Sequence, residues 1–128
     1  MEQFNQQEAK NTSIIRTWED IPVIARRSTD ELIEQIFQNI NFDIARKMVA
    51  TAKIDRLIEE GYGGRVRDED WENPDKTVWV IAALDDEYCV TDIDGTDNYR
   101  VFLAFHTEDC AINFLEFNQD LVKDYYQR

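Results

Sequence analysis

The chain has 128 residues, a common size for one domain, and its 43% apolar and 12% aromatic content excludes a disordered polymer despite a net charge of −13. That negative surplus sets it against direct binding to nucleic acid or an anionic membrane, since both would repel it. The first residues carry neither a basic stretch nor an apolar run of signal type, and no window approaches eighteen apolar residues, so a soluble cytoplasmic protein is expected.

Residues 1–11 are polar and expected to fray, with Phe4, Ile14, Ile15 and Trp18 as anchors for a short helix ahead of the breaker Pro22. Ser28-Thr29-Asp30-Glu31 has the form of a capping box and predicts a helix starting there, with Leu32, Ile33, Ile36, Phe37 and Ile40 on one stripe. Asn41 can cap a second helix from Phe42 to about Glu60, roughly 28 Å long, that ends at Gly61, Gly63 and Gly64. Its expected inner side holds Ile44, Ala45, Met48, Val49, Ala52, Leu57 and Ile58. Its Arg46, Lys47, Lys53 and Arg56 are available to pair with the acids that follow.

After a loop from Tyr62 to Lys76, three Val-, Ile- and aromatic-rich stretches read as strands: Thr77 to Leu84, Tyr88 to Ile93, and Tyr99 to His106. The first is apolar at nearly every position, as suits a central strand or one covered on both faces. Thr107 followed by Glu108 and Asp109 predicts a last helix through Ala111, Phe114 and Phe117 toward Tyr125. The expected fold is a single α+β domain over residues 1–128: N-terminal helices and a C-terminal helix packed on a three-stranded antiparallel meander. Cys89 and Cys110 lack C-x-x-C spacing and are expected as free thiols.

Charge is where the sequence departs most from an ordinary domain. Between Asp68 and Asn98 stand eleven carboxylates, Asp68, Glu69, Asp70, Glu72, Asp75, Asp85, Asp86, Glu87, Asp92, Asp94 and Asp97, against one base, Lys76. This segment holds ten of the thirteen net negative charges, while the flanks are nearly balanced. Like charges crowded on a surface repel, and solubility alone would be served by spreading them, so a patch for a basic partner is expected. Trp71, set among five of these acids, is either an exposed anchor of that patch or a loop staple on the core. Tyr62, Tyr88 and Tyr99 are candidates to border it.

One run has a catalytic look. Asp92-Ile93-Asp94-Gly95-Thr96 resembles the D-x-D-G-T motif of haloacid-dehalogenase-like phosphatases, a resemblance that implies Asp92 as nucleophile, Asp94 as general acid and a bound magnesium. It covers five residues, and the thirty-four that follow Asp94 cannot hold the further βα units of that fold. Asp-Gly is also a favoured hairpin turn. His106, the single histidine, lies one helical turn before Cys110, but nothing adds an oxyanion hole or a pocket. No phosphate-binding glycine loop is present, and no catalytic residue, metal or other cofactor is expected.

The expected function is therefore that of a small acidic binding protein that neutralises a basic macromolecule, steered by the carboxylates and anchored by aromatics. Its size, charge and lack of catalytic groups are similar to those of bacterial immunity proteins, which implies a toxin partner such as a nuclease, whose active site is basic because it holds phosphates. A DNA mimic occupying a nucleic-acid-binding protein is the second expectation, and a phosphatase using Asp92 and Asp94 the third. Charge reversal of Asp68, Asp70 and Glu72 is expected to slow association.

Overall fold

Pro22 starts the first helix rather than merely excluding one. Its carbonyl accepts the amides of Ala25 (2.9 Å) and Arg26 (3.2 Å), and α1 runs Val23–Asn39. The computed structural model describes residues 14–39, 41–94 and 100–127. The Ser28 capping box thus falls inside α1, where the preceding turn already satisfies the amides it would serve. Ahead of α1, Asp20 accepts the amides of Thr17 (2.9 Å) and Arg16 (3.0 Å), closing a 3-10 turn at Trp18–Asp20 that buries Trp18. Of the expected α1 stripe, Ile36 is buried and Ile33 half-buried, while Leu32 and Phe37 remain about half exposed; Ile40 lies outside the described residues.

α2 spans Phe42–Gly61, with the Asn41 side chain accepting the Asp43 amide at 2.9 Å as the cap pattern predicts. It buries Ala45, Ala50, Ile54, Leu57 and Ile58, whereas Ile44 and Met48, expected inside, are exposed. Its exit needs glycine twice. Gly63 and Gly64 take φ of +89° and +88°, and the Gly64 amide reaches back to the Ile58 carbonyl (3.0 Å). A Cβ on Gly61 would lie 2.7 Å from Ile15 Cγ2, so the last turn can pack against the N-terminal segment only without a side chain.

A short helix, α3 (Asp68–Trp71), interrupts the loop before β1 (Thr77–Leu84) and β2 (Glu87–Asp94), which pair antiparallel from Thr77↔Asp94 to Leu84↔Glu87. The two-residue turn Asp85-Asp86 requires a left-handed residue, and Asp85 supplies it at φ 53°. β3 is short, Ala104–Phe105, and pairs with β1, giving the order β2-β1-β3. All three strands are antiparallel, as expected. The apolar β1 takes the centre, so the third strand crosses to the far side of β1 instead of following β2.

Alternation along β1 divides its side chains between two clusters. Ile81 joins Phe105, Phe114, Ile54, Leu57 and Val122 in the main core under the helices, where each fully buried side chain stabilises by about 1.5–3 kcal/mol. Val78 and Val80, with Ile93 and Ala104, form a smaller outer cluster covered by Val66, Trp71 and Val101. Thr107 caps α4 (Glu108–Phe117) by accepting the Cys110 amide at 3.1 Å. The expected single last helix is broken at Asn118, and α5 (Gln119–Tyr126) follows. The cause is a buried polar network: Asn118 Nδ2 donates to the Arg16 carbonyl (2.7 Å) and to Tyr62 Oη (3.3 Å), and Tyr62 Oη donates to that same carbonyl (2.7 Å). No helix among the described residues is long and apolar enough to cross a membrane.

Candidate interaction surface

The carboxylates do not converge. β1 advances about 3.3 Å per residue, so the seven steps from Thr77 to Leu84 set the loop acids roughly 23 Å from the turn acids. Asp68, Glu69, Asp70, Glu72 and Asp75 stand at one end of the hairpin and Asp85, Asp86 and Glu87 at the other. Asp92 lies along β2 opposite Trp79. The backbone of Asp94 ends that strand, and Asp97 and Tyr99 lie outside the described residues.

The loop group is largely tied down. Asp70 accepts the Arg67 amide at 2.9 Å, and Lys76 Nζ lies 3.7 Å from its other oxygen; the amide first and the ammonium second hold its carboxyl below the usual range. Lys76 Nζ also meets His106 Nδ1 at 2.9 Å. His106 Nε2 faces the Arg65 carbonyl at 3.2 Å, and because a carbonyl only accepts, Nε2 carries the proton and Nδ1 accepts from Lys76. Both ring nitrogens are therefore occupied away from Cys110. Arg100 bridges Asp68 and Glu72, the latter at 3.4 Å. Only Glu69 and Asp75 in this group lack an ion-pair partner among the described residues.

Trp71 is half-buried and packs on the Val78, Val80, Ile93 and Ala104 cluster, so it staples the loop to the outer sheet face. Behind the loop, Arg65 is drawn inward. Its Nη1 donates to the Phe102 carbonyl (2.9 Å), its guanidinium stacks over the Phe102 ring at 4.4 Å, and Nε pairs with Asp55 (3.3 Å). Burial lowers its pKa. The bases of α2 do not neutralise the acidic segment: Arg46 pairs with Asp124 and Arg56 with Glu60.

Comparison with protein-family models, curated proteins and solved structures returned no match. Function has to be read from geometry.

The hairpin group differs from the loop group in what surrounds it. Asp86, Glu87 and Asp92 are exposed and have no ion-pair partner among the described residues. They flank an open strand edge. The Ile81 amide donates to the Leu103 carbonyl on the β3 side (3.0 Å), so odd-numbered β1 residues bond toward β3 and even-numbered ones toward β2. Their β2 partners Glu87, Cys89, Thr91 and Ile93 use that ladder, which leaves Tyr88, Val90 and Asp92 with N–H and C=O directed outward. Tyr88 borders this edge, half-buried and stacked on Tyr126 at 5.9 Å.

The D-x-D-G-T run places Asp92 and Asp94 on an antiparallel edge strand opposite Trp79 and Thr77; Gly95 and Thr96 lie outside the described residues. Among the described residues no three His, Cys, Asp or Glu side chains are grouped to hold a metal ion. Cys89 and Cys110 are free and half-buried. A surface cleft of about 570 Å³ lies elsewhere, between the Trp18–Asp20 turn and the α4–α5 junction, and its lining includes Glu19, Lys53, Glu116 and Asp120. Sequence reasoning missed Arg100, which lies just beyond the acidic run and reaches back to residues 28 and 32 positions earlier.

Proposed function

We propose that this protein binds and neutralises a basic protein partner in the bacterial cytoplasm, as an immunity protein does for a nuclease toxin. The observation that carries the reading is the set of exposed, unpartnered carboxylates Asp86, Glu87 and Asp92 beside the free edge of β2, with Glu69 and Asp75 adding to the field from the loop. Charges left without internal partners cost some stability through mutual repulsion and return it when a cationic surface docks. The same field steers association, raising on-rates toward roughly 10⁸ M⁻¹s⁻¹ at low salt, the property an inhibitor needs to capture a toxin before it acts. A basic nuclease site that grips phosphates presents the complementary sign.

The test is co-expression with a panel of basic nuclease toxin domains in a bacterial host. A toxin whose lethality is relieved should form a stoichiometric complex with the purified chain. Its association rate should fall by about tenfold or more between roughly 50 and 500 mM salt. Rescue without complex formation, or a complex indifferent to salt, contradicts the reading.

A further inference from the structure

The two edges of the sheet are treated differently. On the β3 side, beyond the two-residue strand, the Ile81 carbonyl accepts the Tyr126 hydroxyl at 2.7 Å. On the other side β2 runs eight residues at the edge, and no described strand or side chain meets its outward groups. An exposed edge of this length is a template for strand addition.

We propose that β2 takes up an extended segment of the basic partner as a fourth strand, paired through the backbone of Tyr88, Val90 and Asp92. This rests on the binding role proposed above and specifies how the partner docks. Charge names the occupant. Glu87 projects on the outer face of the sheet and Asp92 on the helix-packed face, because alternate residues along a strand face opposite sides. An incoming strand of either direction places residues opposite Glu87 and Asp92 five positions apart, so it should carry Arg or Lys at i and i+5. Between them, Cys89 and Thr91 leave a low shelf on the outer face that suits β-branched side chains.

A second copy of this chain fits poorly. Antiparallel self-pairing through these outward groups sets only even-numbered residues opposite one another; centred on Val90 it places Asp94 opposite Asp86, and in any register it brings together two strands that each carry Glu87, Asp92 and Asp94 and no base, which is unfavourable. The edge thus repels itself while attracting a basic strand.

The experiment is calorimetric titration of the full chain with two blocked ten-residue peptides. One alternates Thr and Val and carries Arg at two positions five apart; the other has the same charge but two central prolines that prevent a continuous strand. The strand-competent peptide should bind about tenfold more tightly. Val90→Pro removes an outward N–H while sparing the β1 ladder, and it should erase that difference. Equal affinity for both peptides on the unaltered protein overturns strand addition and leaves the acidic binding role standing, whereas absence of binding by either removes both. Should Val90→Pro not fold, Glu87→Lys combined with Asp92→Lys keeps the backbone edge. It should then prefer, by about tenfold, a peptide of the same alternation bearing Glu in place of Arg, and failure to switch overturns the proposal.

Discussion

Two acidic regions of similar composition meet different fates. In the loop, Asp68, Asp70 and Glu72 are held by Arg100, Lys76 and the Arg67 amide, and Trp71 fastens the segment to the sheet. At the hairpin turn and along β2, Asp86, Glu87 and Asp92 have no such partners among the described residues and lie beside unused backbone groups. The first set of charges is engaged within the fold, and the second is not. Counting carboxylates along a chain therefore overstates a patch, because an ion pair formed inside the molecule subtracts from the field outside it.

The largest expected separation between the regions is kinetic. Glu87→Lys with Asp92→Lys should slow association with a basic partner recovered from the toxin panel by about 10- to 100-fold at low salt, measured by stopped flow. Asp68→Asn with Glu72→Gln should change that rate by less than about threefold, since those charges are already partnered. Comparable losses from both pairs would erase the distinction.

Stability should show the reverse order. Asp70→Asn weakens the charge-assisted bond to the Arg67 amide and the pairing with Lys76, and should cost about 1–2 kcal/mol in urea unfolding. Glu87→Gln at the open edge should stay within about 0.5 kcal/mol of the unaltered protein.

The same asymmetry fixes the pH dependence. Asp70 and Asp20 have folded pKa values below their ordinary 3.8, each chiefly because backbone amides donate to the carboxylate. A lowered folded pKa means the unfolded chain binds the proton first, so their contribution is fully present above about pH 4–5 and is lost as pH falls through the folded value. Acid unfolding followed by circular dichroism should show stability falling as pH drops below about 4. Asp70→Asn should flatten the stability loss below about pH 4.

The smallest effect is the most diagnostic of how the loop charges are used. Arg100→Ala removes two exposed ion pairs and should cost at most about 1 kcal/mol, yet it releases Asp68 and Glu72 to the solvent. Association with a basic partner should then quicken by a few-fold at low salt.

What was legible in the sequence was local. The Asn41 cap, the Thr107 cap and the limits of β1 depend on residues within a few positions of one another, and each lies where the pattern puts it. α1 starts at Val23, five residues ahead of the Ser28 capping box, because a proline that breaks a helix arriving from its N-terminal side can still lead one on its C-terminal side. The break at Asn118 follows from bonds to Arg16 and Tyr62, which lie 102 and 56 positions away. The sharing of acids between loop and edge depends on Arg100 and His106 arriving from beyond β2, and on Lys76 folding back on Asp70 within the loop itself. The placement of β3 beyond β1 is likewise tertiary, although the apolar run of β1 already suited a central strand. Trp71 illustrates the limit: polar neighbours in sequence left its burial open, and the valines beneath it in space close the question.

Residue-resolved amide exchange, with and without a basic partner bound, tests the assignment of the β2 edge most directly. Binding should slow exchange at Tyr88, Val90 and Asp92 by about tenfold or more while the amides of Asp68 to Glu72 stay unchanged. Protection confined to that loop, with the β2 amides exchanging as before, would contradict it.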